Sequence, residues 1–382
     1  MKGHETCLFQ GEVIYLIAFT LWLLGSCLQI TFWVDYPVIR IVCLYFLQSA
    51  FVFLLLYFLL KPYSKKDIFG FILLCIAGIL ADKSVYGKEL IYCVIFIWFS
   101  KDLDLKRVFT LYLFIQGSVL FITVLGAKSG LILNKEFGNN TDRIQYALGY
   151  TFATYSAHIL AFLTIIWFLV KKDAGILSVL ILFLLNLYVY SQNRGRTDLI
   201  VASWGLIGFL LEKLNKRLKC EKYTIQKKLG NIYIYSTLLF ILVTWCIRLS
   251  YYYYPKYMEG INTLFTGRPD LEIKAIIDYG FSIFGRIIRW VGIGSWEASN
   301  YILKYNYVDN SFLKTTLTYG LLYGAFLYSC LFSLLIRFRK RNDIYELIAT
   351  SCLVLYSLFN AHLLALNIQC VVLLLSYLLK DE

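Results

Sequence analysis

The most constraining feature of this chain is a recurrence. Apolar runs near the length of a bilayer crossing return from one end to the other, separated by short basic loops. A helix needs about 20 apolar residues to cross membrane hydrocarbon. Twelve runs approach that length, near 12–32, 38–60, 68–81, 89–100, 108–126, 151–170, 175–190, 197–211, 232–249, 311–336, 344–359 and 363–379. Those near 68–81 and 89–100 are the shortest. Composition agrees: 59% of the 382 residues are hydrophobic and 16% charged, against about half and about a quarter in soluble domains. The first run is longer than a signal-peptide core and has no small-residue cleavage site, so it is expected to remain as a span. The expected fold is an all-α polytopic membrane protein of about twelve transmembrane helices. It forms one membrane domain over 1–382, with an outer loop at 127–150 and a large outer loop at 250–310.

Charge sets the expected orientation. With the N-terminus inside, the inner loops are 61–67, 101–107, 171–174, 212–231 and 337–343, and every one is basic, as positive-inside topology requires. Both termini then lie on the cytoplasmic side. The net charge of +13 reads as a topology signal, not as a nucleic-acid footprint.

Arginine is distributed differently from lysine. Arg40, Arg143, Arg194, Arg196, Arg248, Arg268, Arg286 and Arg289 fall on the outer side, eight against five inside, whereas most lysines are inside. Topology needs positive charge of either kind. A guanidinium fork is favoured where phosphate or carboxylate must be held, so the outer arginines point to an anionic ligand. The plainer reading is pairing with lipid headgroups or with Asp142, Asp198 and Asp270.

The 250–310 segment is too apolar for a solvated loop. Tyr251–Tyr254 suit an interfacial aromatic belt. After Pro269, Leu271, Ala275, Ile276, Tyr279, Ile283, Arg286 and Ile287 recur at helical spacing. That predicts an interfacial helix with Arg286 and Arg289 on one face. The ten cysteines contain no Cys-x-x-Cys pair, and His4, His158 and His362 make no metal spacing. No metal site and no cofactor are expected. His158 and His362 read as hydrogen-bonded packing histidines, although ionisable groups inside spans lean towards function.

Four outer elements occur in one order: Ser191–Thr197, Thr266-Gly-Arg268, Gly292-Ile-Gly294, and Val308-Asp-Asn-Ser311 followed by Tyr319-Gly320. With the multi-span plan, over roughly residues 100–380, they resemble the O-antigen polymerase and ligase family of bacterial membrane glycosyltransferases. The closer likeness is to the capsular or O-antigen repeat-unit polymerase, often called Wzy. Ligases carry His-Asn where this chain has Asp309-Asn310. The family's Gly-Phe-x-His-Pro-Asn element would fall at Gly149-Tyr150, but Phe152-Ala153-Thr154 follow instead.

The resemblance implies a class C glycosyltransferase fold in a bacterial cytoplasmic membrane, working on its outer face without metal. The implied substrate is an oligosaccharide on undecaprenyl pyrophosphate, with a flippase and a chain-length regulator as partners beside the lipid bilayer. It implies Asp309, Arg196 and Arg268 as catalytic residues, and Arg194, Ser191, Arg143, Arg286 and Asn310 as substrate-binding residues. The plainer readings are that Arg196 pairs with Asp198 and that Asp309 caps the helix starting at Ser311. A ligase within the family, or a flippase or other transporter outside it, are the alternatives. Internal halves, which transporters tend to carry, are not visible in the sequence.

The lysine distribution predicts that an impermeant thiol reagent on whole cells labels a single cysteine placed at Asn262 and spares native Cys220. The reverse pattern would overturn the topology.

Overall fold

The computed structural model describes residues 2–81, 89–138, 144–217, 222–292 and 305–380. Arg143 and the Gly294 end of the Gly-x-Gly turn lie outside the described residues. Helix accounts for 76% of the structure. Among the described residues six helices are long and apolar enough to cross a membrane, within Gly11–Gln29, Pro37–Leu60, Leu105–Lys128, Ile176–Asn193, Lys228–Tyr253 and Leu321–Arg341. The chain is therefore a helical, multi-pass membrane protein. Helices suit that solvent because their backbone groups bond within the segment.

The helices are α1 (Lys2–Gln29), α2 (Pro37–Leu60), α3 (Lys65–Ala81), α4 (Glu89–Phe99), α5 (Leu105–Lys128), α6 (Tyr155–Val170), α7 (Ile176–Asn193) and α8 (Arg196–Arg217). Then come α9 (Lys222–Tyr253), α10 (Glu259–Leu264), α11 (Arg268–Tyr279), α12 (Ser311–Tyr319), α13 (Leu321–Arg341) and α14 (Ile344–Ser357), with a 3₁₀ helix at Cys370–Leu379. A two-stranded ribbon, Glu136–Phe137 with Gln145–Tyr146, sits in the segment after α5. The chain divides into two compact units: Met1–Cys75, Cys93–Leu206 and Ala365–Glu382, and Ile76–Tyr92 with Ile207–Leu364.

The first unit packs α1 against α2 and α5, and α6 against α5 and α7. On α2, Val38, Tyr45, Val52 and Leu59 are exposed, while Cys43, Ala50 and Tyr57 are buried on another stripe. A seven-residue spacing nearly completes two helical turns, so each set forms one stripe. Such an apolar stripe would promote association in water but suits hydrocarbon. The buried face meets an aromatic cluster in which Phe96 lies 4.9–6.0 Å from Tyr15, Phe19 and Trp22.

The basic loops 61–67 and 101–107 share one end of this unit. There Lys61 pairs with Asp102, Lys101 with Asp67 and Arg107 with Glu12. The other end gathers Tyr36, whose hydroxyl donates to Leu131 O, and Lys128, which donates to Gln192 Oε1.

The second unit packs α9 against α11, α13 and α14, and α12 against α11 and α13. Two expectations from periodicity fail here. The apolar run 311–336 is not one helix but two, broken at Gly320. The helix after Pro269 ends at Tyr279, so Arg286 and Arg289 lie on extended chain instead of sharing a helical face.

Both departures have one cause. The extended segment crosses the break: Arg286 N donates to Thr318 O, Leu321 N to Ser282 O and Leu322 N to Ile283 O. Gly320 (φ +100°) and Gly285 (φ +76°) meet backbone to backbone. A Cβ on Gly320 would stand 2.3 Å from Ile283 O, and one on Gly285 would stand 2.1 Å from Thr318 O. In the same unit Ala275, Ile288, Val308, Leu313 and Leu317 form a buried cluster.

Gly320→Ala is expected to destabilise the protein by about 2 kcal/mol or more, from left-handed strain and the clash. Gly117, inside α5, has open space where a Cβ would go, so Gly117→Ala should be neutral or stabilising by up to about 1 kcal/mol. Thermal unfolding in detergent checks the pair. Equal melting temperatures for the two variants would count against the crossing.

Candidate anion-binding site

In the second unit, α9, α11 and the chain after α14 border a small, half-open pocket. Its lining includes Arg248, Arg268, Glu272, Phe265 and Phe359. Phe265 and Phe359 stack with centroids 6.0 Å apart and planes 4° from parallel.

Gly267 starts α11 with φ +77°, a conformation that costs glycine little. Pro269 then stands in the first turn, where its missing N–H leaves no helical bond unmade. Arg268 and Glu272 are four residues apart, so they share one face of α11.

The two arginines are held differently. Arg248 is buried and its fork is committed. Nε donates to Glu272 Oε2, Nη2 to Glu272 Oε1 at 3.1 Å, and Nη2 also to Leu358 O at 3.2 Å. Glu272 is buried as well. Burial pushes its carboxyl up from the ordinary range, and the Arg248 hydrogen bonds and charge oppose that rise. Arg268 makes a lighter contact. Its Nε lies 2.9 Å from Asp309 Oδ2, and each side chain is 26% exposed.

Asp309 can make that contact because it is not the helix cap. Asn310 is: its Oδ1 accepts from Phe312 N at 2.9 Å and Leu313 N at 3.2 Å. Asn310 is buried, with its carbonyl oxygen engaged at the start of α12. Ser311 continues the anchoring, donating to Asn360 O and accepting from Leu363 N. Burial, with the Asp309 charge next in weight, pushes the Tyr305 phenol well up.

The other sequence candidates lie elsewhere. Arg286 is exposed on the extended segment, its backbone tied to Thr318. Ser191, Arg194 and Arg196 belong to the first unit, where all three are exposed. Arg194 closes α7 in the left-handed conformation, φ 58°. Asp198 pairs with His158 rather than with Arg196: His158 Nδ1 lies 2.6 Å from Asp198 Oδ1, and its Nε2 lies 2.9 Å from Thr154 Oγ1. Asn193 Nδ2 donates to Ser156 Oγ, while Asn193 Oδ1 accepts from Gly195 N. Two polar contacts therefore pin the arginine-bearing turn to α6. A Cβ on Gly195 would come within 2.8 Å of Asp198, which explains glycine between the arginines.

Sequence reasoning missed Glu272, Phe265 and Phe359, and left Arg248 without a role. One signal was present: Arg248 ends an apolar run, where an unpaired charge is expensive. Among the described residues no group of three or more His, Cys, Asp or Glu stands together as a metal site. No family model matches the chain, and no curated protein or solved structure matches it.

The two ion pairs predict different costs. Arg248→Ala would leave Glu272 buried and unpaired, a loss of about 3–5 kcal/mol. Arg268→Ala opens a partly exposed pair and should cost about 1 kcal/mol or less. Chemical or thermal unfolding of the purified variants separates them, and similar losses would contradict the difference in setting.

Proposed function

We propose that this chain is a repeat-unit polymerase: a membrane glycosyltransferase that moves a glycan from undecaprenyl pyrophosphate onto the terminal sugar of another lipid-linked unit. In this reading it crosses the bacterial cytoplasmic membrane about twelve times, with both termini inside and the site on the outer face. One observation carries the reading: Arg268 and Asp309, both singled out by the resemblance, meet beside a pocket with a second, buried arginine.

The chemistry follows from those groups. The acceptor hydroxyl attacks the anomeric carbon of the donor. A new C–O bond forms, the bond from that carbon to the phosphate oxygen breaks, and its electron pair leaves with the lipid pyrophosphate. The hydroxyl proton passes to the Asp309 carboxylate, acting as general base. Guanidinium charge stabilises the leaving pyrophosphate, so this reading is metal-independent. The resemblance also implies roles for Arg194 and Arg196, which stand on their pinned turn in the first unit.

The test is complementation of a host lacking this gene, read as polymer length and as accumulated lipid-linked units. Arg196→Ala and Arg268→Ala should each insert normally and abolish polymer. Lysine at either position should restore little if binding is bidentate. Asp309→Asn should cut the rate on the order of a hundredfold or more, leaving single units unpolymerised. Polymer of wild-type length from both alanine variants would remove the arginines from the mechanism.

A further inference from the structure

We infer that Asp309 is an internal stand-in for the donor's phosphate: it occupies Arg268 when the site is empty, and binding of an isoprenyl diphosphate displaces it and frees it as the base. The inference rests on the reading of this pocket as a pyrophosphate site, and adds an order of events to it.

The geometry points to exchange at Arg268 and not at Arg248. Arg248 is forked onto Glu272, holds Leu358 O with the same guanidinium, and is buried on every side. An incoming anion would have to break that network and leave Glu272 stranded. The Arg268 side chain is partly exposed beside the pocket, and its buried Nε meets one Asp309 carboxylate oxygen at 2.9 Å as an ion pair without hydrogen-bond geometry. A carboxylate and a phosphate compete for the same guanidinium charge. A diphosphate offers more acceptor oxygens and more charge than one carboxylate, so it can replace the contact that Asp309 makes.

Asp309 is also placed to be released without unravelling its helix. The residue that starts α12 is Asn310, whose side chain caps it, and Ser311 ties the same turn to Asn360 and Leu363. The carboxylate can therefore turn away from Arg268 while the backbone stays in place. Asp309 is then tied up until a diphosphate is seated. Released, it takes the proton of the acceptor hydroxyl as that oxygen bonds to the anomeric carbon and the lipid pyrophosphate departs. When the product leaves, Arg268 and Asp309 pair again. Coupling the base to the leaving group in this way also disfavours proton abstraction when no donor is bound.

Binding of farnesyl pyrophosphate to purified full-length protein in detergent tests this without catalysis. If Asp309 competes for Arg268, Asp309→Asn binds the probe at least about tenfold more tightly than wild type, and Asp309→Ser does likewise. The double variant Asp309→Asn/Arg268→Ala loses the gain. Asp270→Asn also removes one negative charge from α11, but its carboxylate faces Lys274 and Tyr251, so its affinity should stay within about threefold of wild type. Equal or weaker binding by both Asp309 variants, with wild-type binding still dependent on Arg268, would overturn the exchange and leave the pyrophosphate site standing. A tenfold gain from Asp270→Asn as well would reduce the effect to general electrostatics and overturn the exchange too. Failure of every variant and of wild type to bind would overturn the pyrophosphate reading itself.

Discussion

Two opposite charges removed from water must find each other with good geometry, and in the second unit that demand falls on Arg248 and Glu272. In an environment this apolar neither ion is tolerable alone. Their fork-to-carboxylate contact fixes α11 against α9, and the third arginine bond, to Leu358 O, brings in the end of α14. The pocket is the space left among these elements, and Arg268, one turn before Glu272, is aimed into it by the same helix. A buried ion pair of this kind contributes little net stability. What it contributes here is position.

The second constraint is steric. At Gly285 and Gly320 two backbones approach so closely that neither position has room for a Cβ. The helix opened by Ser311 therefore stops at Tyr319 and restarts at Leu321, and the carbonyls and amides freed by the break are taken up by residues 282–286. Interrupted helices are tolerated in membrane proteins when neighbouring chain re-satisfies the backbone. Here the neighbour is a segment of the same unit. The result is a short, separately anchored α12, and Asp309, just ahead of its Asn310 cap, meets Arg268.

Much of the plan was legible in the residues. Each of the twelve apolar runs holds helix in the structure, although among the described residues six helices are both long and apolar enough to count as crossings. Arg268 and Asp309 were each visible as polar residues in outer elements. Their contact was not, because nothing local links positions so far apart. Asp309 was readable as a cap, yet its neighbour Asn310 accepts the amides of Phe312 and Leu313 and leaves the carboxylate to Arg268. Likewise Asp198 looked like a partner for Arg196, but a buried imidazole on α6 claims it at 2.6 Å. In both cases burial decided: the partner in the drier setting took the carboxylate or the amide, which left Asp309 to Arg268 and Arg196 exposed.

What the sequence determined by itself is what local forces determine. Helices close their hydrogen bonds within a few residues, and hydropathy acts residue by residue, so helical runs, a membrane environment and basic loops could all be read in order along the chain. The tertiary structure decided where helices end against their own periodicity. The pattern continues through Ile283 and Ile287, but the chain leaves the helix at Gly280 and bonds its backbone to the break at Gly320 instead. It also decided which charges are buried and which stay partly exposed. Arg248 and Arg268 are the same residue type on the same stretch of chain. Only three-dimensional packing buries one in a fork of hydrogen bonds and leaves the other a quarter exposed at a pocket, because desolvation and pairing depend on neighbours far away in sequence.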